Sequence, residues 1–166
     1  MLSAKLDEAR ERLKNLQLRQ SEPADAPQIY RLLKRYAEAD LLVAVPLMAL
    51  YDNFSRFVVA HDGHGVCGCV SMQLYSRQLG EIKSLAVLEE LQGLGIGKEL
   101  VMVLLQEARQ LGLTELFAVT GVPGFFAGLG FKPVAASKIP APVWQYRQKW
   151  GGDIKKGRAV VATVLR

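Results

Sequence analysis

The chain has 166 residues, half of them hydrophobic and 22% charged, which is the composition of one globular domain and excludes a disordered or fibrous chain. The formal net charge is +5 and the sequence pI about 9.3, a mild excess that suits an anionic ligand or nucleic acid without requiring either. No window reaches the roughly 18 apolar residues of a membrane span, the N-terminus is too acidic for a secretory or transit peptide, and two cysteines cannot staple a fold. A reducing cytoplasm is the expected setting, with no membrane partner.

In chain order, residues 2–14 place Leu2, Leu6, Ala9 and Leu13 at helical spacing among charges. This amphipathic helix is read as an extension over 1–15. It packs on the domain, packs on a second copy in a homodimer, or is the remnant of a connection; the domain proper is expected over 16–166. Residues 16–19 read as the first strand. Ser21 to Asp25, with an early proline and an acid, begins a helix that carries Ile29, Leu32, Leu33 and Tyr36 on one face and Arg31, Lys34 and Arg35 on the other. That basic side reads first as a solvated face, with contact to a substrate as the alternative. Residues 40–54, with Pro46 followed by Leu47, Leu50, Tyr51 and Phe54, predict a second short helix that could wall a pocket.

Phe57 to Ala60 and Val66 to Leu74 flank His61-Asp62-Gly63-His64-Gly65, and Asp-Gly between apolar runs is a strong hairpin signal. A further turn near Gln78 to Gly80 leads into a strand over 81–87. Next comes Gln92-Gly93-Leu94-Gly95-Ile96-Gly97-Lys98, and then helical periodicity over 95–111 that Gly112 ends. Residues 116–120 predict a buried strand, so strand, helical crossover and strand form a right-handed βαβ unit with parallel strands. A short helix over 123–129, a strand over 131–134, an irregular basic segment through Lys156 and a final strand over 158–165 complete the chain. The expected class is α/β of the α+β type: a mostly antiparallel sheet with one parallel pair and helices on both faces.

Glycines where a strand turns into a helix leave backbone N–H groups bare at the positive end of the helix dipole, a candidate phosphate cradle. The spacing is neither a dinucleotide fingerprint nor a P-loop. In its context, Gln92-x-x-Gly95-x-Gly97 resembles the pyrophosphate motif of the GNAT N-acetyltransferase superfamily. Phe125-Phe126-Ala127-Gly128-Leu129-Gly130-Phe131 is similar to a second motif of that superfamily, in the right order. Within it, 80–87 and the tail from Ile139-Pro140 to Trp144-Gln145-Tyr146-Arg147 look most like the acetyltransferase domain of bacterial N-acetylglutamate synthases, which catalyse the first step of arginine biosynthesis. Such enzymes often carry an amino-acid-kinase domain in front; its lack here implies the lack of arginine feedback through it.

The resemblance implies acetyl-CoA as co-substrate and no metal. Backbone groups of Gly93, Leu94, Gly95, Ile96, Gly97 and Lys98 are then expected at the pyrophosphate, helped by Gln92 and Lys98 side chains, with Phe126 also beside the cofactor. Leu85, Ala86 and Val87 are expected to splay from 117–119 and bond the pantetheine arm, and the N–H near Leu85 to face the thioester oxygen. An α-ammonium titrates near ~8–9, so attack needs a base, for which Glu81 is the candidate through a water, against its reading as a surface strand carboxylate. Many family members protonate the leaving thiolate with a tyrosine where this chain has Phe126. A thiol titrating near ~8.5 tolerates that, and water, Ser84 or Tyr146 could substitute.

A glutamate acceptor needs cationic partners for its carboxylates: Lys83 first, then Arg35, Arg147, Arg56 and Arg77, with Ser84 also on the acceptor side. The alternatives are the same chemistry on another small amine or amino acid, a non-catalytic acyl-CoA sensor, and nucleic-acid binding, which rests on the pI alone. His61-x-x-His64-x-x-Cys67-x-Cys69 has zinc-ligand residue types, but nothing completes the set, and no metal is expected.

Overall fold

The computed structural model of the chain describes residues 1–53, 56–149 and 157–166. Seven strands, β1 (Gln17–Gln20), β2 (Phe57–His61), β3 (Val66–Leu74), β4 (Leu79–Val87), β5 (Glu115–Thr120), β6 (Lys132–Pro133) and β7 (Ala159–Val164), form a sheet in the order β1-β2-β3-β4-β5-β7-β6. The chain divides into two compact units, residues 1–71 with 84–104 and residues 72–83 with 105–166.

In the first unit, β1, β2 and β3 pair antiparallel, with a register shift at Ala60/His61. The β2–β3 turn follows from its sequence: Gly63 takes φ 89°, and Asp62 Oδ1 accepts the backbone N–H groups of His64 (2.9 Å) and Gly65 (3.2 Å). Helix α2 (Ala26–Glu38) buries Ala26, Ile29, Leu32 and Leu33 against Val59, Cys69 and Ala86, the face its periodicity predicts. Asp40 (φ 58°) then turns the chain out of the helix, and α3 (Leu47–Asn53) begins directly after Pro46, the proline expected near its start. Phe54, predicted in that helix, lies outside the described residues. Helix α1 (Leu2–Leu13) buries only Ala9, leaving Leu2 and Leu6 exposed. Gly68 in β3 sits under α4 (Ile96–Gln110): an added Cβ would lie 3.1 Å from Leu100, 3.2 Å from Ile96 and 3.3 Å from the Ala86 carbonyl.

In the second unit, β4 and β5 pair in parallel over Leu79↔Glu115, Gly80↔Leu116 and Glu81↔Phe117, as the βαβ reading requires. Gly80 allows this approach, since a Cβ there would come within 2.9 Å of the Leu116 side chain. β7 lies antiparallel between β5 and β6. Phe117, Ile139, Val143, Val160 and Ala162 form the core, packed by Tyr75 and Trp144. The predicted irregular basic segment is a correction: a 3₁₀ turn over Ala136–Lys138 and helix α6 (Ala141–Gln148) occupy it, and its remainder over 150–156 lies outside the described residues. Pro140 at the N-cap and Pro142 in the first turn start α6, and Val143 and Arg147, four apart, share its buried face.

Candidate active site

In the second unit a buried polar cluster is built across β4 and α6. Glu81 is 2% exposed and Arg147 6%. Arg147 Nε donates to Glu81 Oε1 (2.9 Å) and Oε2 (3.2 Å), and the Tyr75 hydroxyl donates to Oε1 (2.7 Å). Carboxylate, guanidinium and phenol satisfy one another away from water, which is the condition for keeping charge in a core. Glu81 is therefore no surface carboxylate. Three aromatic rings frame the cluster: Tyr75 stacks on Phe117 at 6.0 Å and meets Tyr146 edge-on at 5.9 Å, while Arg147 lies over the Trp144 ring at 5.3 Å. Burial and the Glu81 charge push the Tyr75 phenol far up, so it stays a neutral donor. Burial also holds the Lys83 ammonium below the usual lysine range, with Glu81 opposing that shift and Arg147 adding to it.

The first unit carries the glycine stretch. A 3₁₀ turn over Glu89–Leu91 brings the chain out of β4, and α4 starts at Ile96. Gly93 (φ 77°) and Gly95 (φ 92°) adopt backbone that side chains resist, and a Cβ on either would meet nothing within 4 Å. The glycines thus serve the turn and an open approach rather than close packing. Gln92, Gly93, Gly95 and Lys98 are exposed, whereas Ile96 is anchored in the core. The Gln92 Nε2 donates to the Tyr36 hydroxyl and, at 3.3 Å, to the Val87 carbonyl, which also accepts from Tyr36. Upstream in β4, Ser84 has φ 54°. Left-handed backbone inside a strand breaks the side-chain alternation and re-aims the next residues; Lys83, Ser84 and Leu85 are accordingly all half-buried in succession, before Ala86 and Val87 return to the core.

Of the sequence-predicted residues, the structure brings Glu81, Lys83 and Arg147 together and lines up Ser84, Leu85, Ala86 and Val87 on β4 ahead of 92–98. Phe126 is buried in α5 (Pro123–Ala127), between the rings of Phe125 (5.1 Å) and Phe131 (5.2 Å). In the first unit, Arg35 lines a groove with Arg12, Arg31 and His64. Tyr75 and Tyr36 were missed by sequence reasoning. Neither stands in a motif, and the only signal was a tyrosine at an otherwise apolar position. Among the described residues no group of three or more His, Cys, Asp or Glu is placed to hold a metal ion. Cys67 and Cys69 are buried thiols, pushed by burial to about 11 and about 12, and their Sγ atoms donate to the carbonyls of Ala60 and Ser84. No helix among the described residues is long and apolar enough to cross a membrane.

The family model described as Acetyltransferase (GNAT) family matches residues 11–131. The chain belongs to the GNAT acetyltransferase family. An uncharacterized N-acetyltransferase of Chlorobaculum tepidum is 32% identical over 77% of this chain and 83% of its own length. An amino-acid acetyltransferase of Mycobacterium tuberculosis is 35% identical over 76% of this chain and 74% of its own. Among solved structures, a Mycobacterium tuberculosis protein in complex with CoA and NLQ superposes with a TM-score of 0.79 at 30% identity, covering 90% of this GNAT chain and 99% of that one. The N-acetylglutamate synthase of Neisseria gonorrhoeae, complexed with coenzyme A and N-acetyl-glutamate, gives a TM-score of 0.81 at 24% identity, which bears on fold alone. This chain spans 35% of that synthase.

Proposed function

We propose that the chain transfers an acetyl group from acetyl-CoA to the α-amino group of an amino acid, L-glutamate being the acceptor the residues suit best. The observation that carries this reading is the buried Glu81–Arg147–Tyr75 cluster with Lys83 beside it, on the central strand of a GNAT domain whose relatives include an amino-acid acetyltransferase. A carboxylate next to two cations is what a dipolar amino acid bearing a second carboxylate requires.

Acetyl-CoA supplies the activated acyl group. The N–H groups of 93–98, at the start of the 15-residue α4, would receive its pyrophosphate, with Lys98 exposed beside them. The Gln92 side chain then acts by position, holding the Val87 carbonyl and Tyr36 rather than the phosphates. Leu85, Ala86 and Val87, at the C-terminal end of β4 and ahead of the glycine stretch, would bond the pantetheine arm as an added strand does. The Leu85 N–H follows the left-handed Ser84 and would donate to the thioester oxygen as it gains charge. Once the ammonium has lost its first proton, the amine lone pair forms the C–N bond, the C–S bond breaks, the sulfur leaves with its electron pair, and the second proton the nitrogen sheds passes through water to that thiolate. The ammonium proton passes through water to Glu81, whose carboxylate oxygens together offer about four acceptor positions and are not exhausted by Tyr75 and Arg147. Lys83, Ser84 and Arg147 would hold the acceptor. Phe126 cannot donate a proton, so the thiolate leaves unassisted or takes one from water, Ser84 or Tyr146.

The test is thiol release from acetyl-CoA with a panel of amino acids and amines. Release that depends on glutamate, and that falls ~10²-fold or more in Glu81→Gln with acetyl-CoA affinity intact, supports the reading. Release with other amines alone removes glutamate, and coenzyme A binding without turnover on any acceptor refutes the transferase.

A further inference from the structure

The first unit holds a groove of about 350 Å³ between α1, α2 and the β2–β3 turn, lined by Arg12, Gln28, Arg31, Arg35, Asp62 and His64 among others. Its floor is built. The Asp62 carboxylate is fully enclosed and takes the Arg12 guanidinium at 2.7 Å together with the two turn N–H groups. The N–H of His64 and the Arg12 pair outweigh the effect of burial and hold this carboxyl below its ordinary range, so it stays ionised. Gln28 Oε1 accepts the Val66 N–H, which leaves its Nε2 group as a donor. Glycine at 65 leaves room for that bond, because a Cβ there would lie 2.7 Å from Gln28 Oε1 and push the side chain aside.

Over this fixed floor stand Arg31 and Arg35, exposed and one helical turn apart on α2. Like charges at this spacing repel, and among the described residues neither has an acidic partner. Lys34, on the same helix, does reach Glu38, and Arg12 is already held by Asp62, with Glu90 3.8 Å from its other nitrogen. The lining therefore has two guanidiniums in excess of its one carboxylate, with an amide donor beneath them and His64 at the rim. Guanidinium forks set about 5–6 Å apart at their Cβ atoms fit an oxyanion that can be shared or bridged between them.

We propose that this groove is a second binding site, for a compact dianion such as a phosphate monoester or a short dicarboxylate, clasped by Arg31 and Arg35 over the Gln28–Arg12–Asp62 floor. It is distinct from the glycine stretch and independent of the acetyl-transfer reading.

The test is calorimetric titration of the full chain with inorganic phosphate and, separately, with succinate, at constant ionic strength and with excess coenzyme A present to fill the α4 N-terminus. Binding with Kd of about 1 mM or tighter is expected for at least one of them, and the stronger one names the source. Arg31→Gln and Arg35→Gln should each weaken it about 10-fold, and the double variant should abolish it, with a melting temperature in anion-free buffer no lower than that of the parent chain. Equal binding by the double variant, no binding of either anion beyond that of sodium chloride, or a raised KM for the amino-acid acceptor in Arg35→Gln would each overturn the proposal.

Discussion

Replacing Arg147 by Met tests whether the buried cluster is a unit. The pair is 7% and 2% exposed in its side chains, with Nε 2.9 Å from Glu81 Oε1. At an effective dielectric of about 20 the attraction at this distance is about 6 kcal/mol, most of it offset by the cost of drying two charges. The loss from Arg147→Met is therefore set by what remains: a buried carboxylate with Tyr75 as its remaining donor in the cluster, which costs about 3–5 kcal/mol. Methionine keeps most of the aliphatic stem, so little of the loss comes from a cavity, while the guanidinium that lies 5.3 Å from the Trp144 ring centroid goes with the charge. For a chain of this length the melting temperature should fall by about 6–20 °C. Glu81→Met, which strands the guanidinium instead, should also destabilise, whereas the double variant should recover much of the loss and give a coupling of at least about 2 kcal/mol by urea unfolding. Additive single variants, with coupling under about 0.5 kcal/mol, would refute the reasoning that each buried charge is stabilised by the other.

Lys83→Met should raise KM for the amino-acid acceptor by about 10–100-fold, the worth of one charge-assisted hydrogen bond, with the KM for acetyl-CoA within twofold in steady-state kinetics. Gly95→Ala should destabilise by about 1–2 kcal/mol through its φ of 92° alone, since the methyl meets nothing, and should weaken coenzyme A binding in calorimetry; full stability would contradict the left-handed backbone. Asp62 has a lowered folded value, so the stability it contributes is complete above the unfolded carboxylate value of about 3.9 and drains away as pH falls from there through the lower folded value. Asp62→Asn should be less stable at pH 6 and flatter below about pH 4 in acid titrations followed by circular dichroism.

The parts of the molecule governed by local rules were readable from the chain. Turn chemistry at Asp62-Gly63, the helical period of 96–110 and the glycines before it needed only neighbours in sequence, and they predicted the hairpin, the crossover and the parallel pair. What failed was long-range. Glu81 and Arg147 are 66 residues apart and Tyr36 and Gln92 are 56 apart, so no periodicity reports either meeting. Helix α6 escaped because its buried face consists of one valine and one arginine, and a charged residue at a core position cancels the pattern that marks a helix. Leu2 and Leu6 misled in the other direction: their spacing is that of a buried stripe, yet among the described residues α1 buries Ala9 alone. Arg35 read first as a solvated charge with a substrate contact as the alternative, and its place in a groove beside the turn at 62–65 left no mark on the local pattern.

Gly68 turns a packing detail into a control on affinity. Three pieces of backbone and side chain, the first turn of α4 through Ile96, its second through Leu100 and the Ala86 carbonyl of β4, converge on a point with room for a hydrogen atom only. A methyl there asks the Leu100 and Ile96 side chains or the Ala86 carbonyl to give by a few tenths of an ångström, and α4 and β4, which carry them, flank the glycine stretch. A selection for altered cofactor affinity should then return changes at a fully internal strand position that no ligand reaches, because the height of α4 over the sheet is set from underneath.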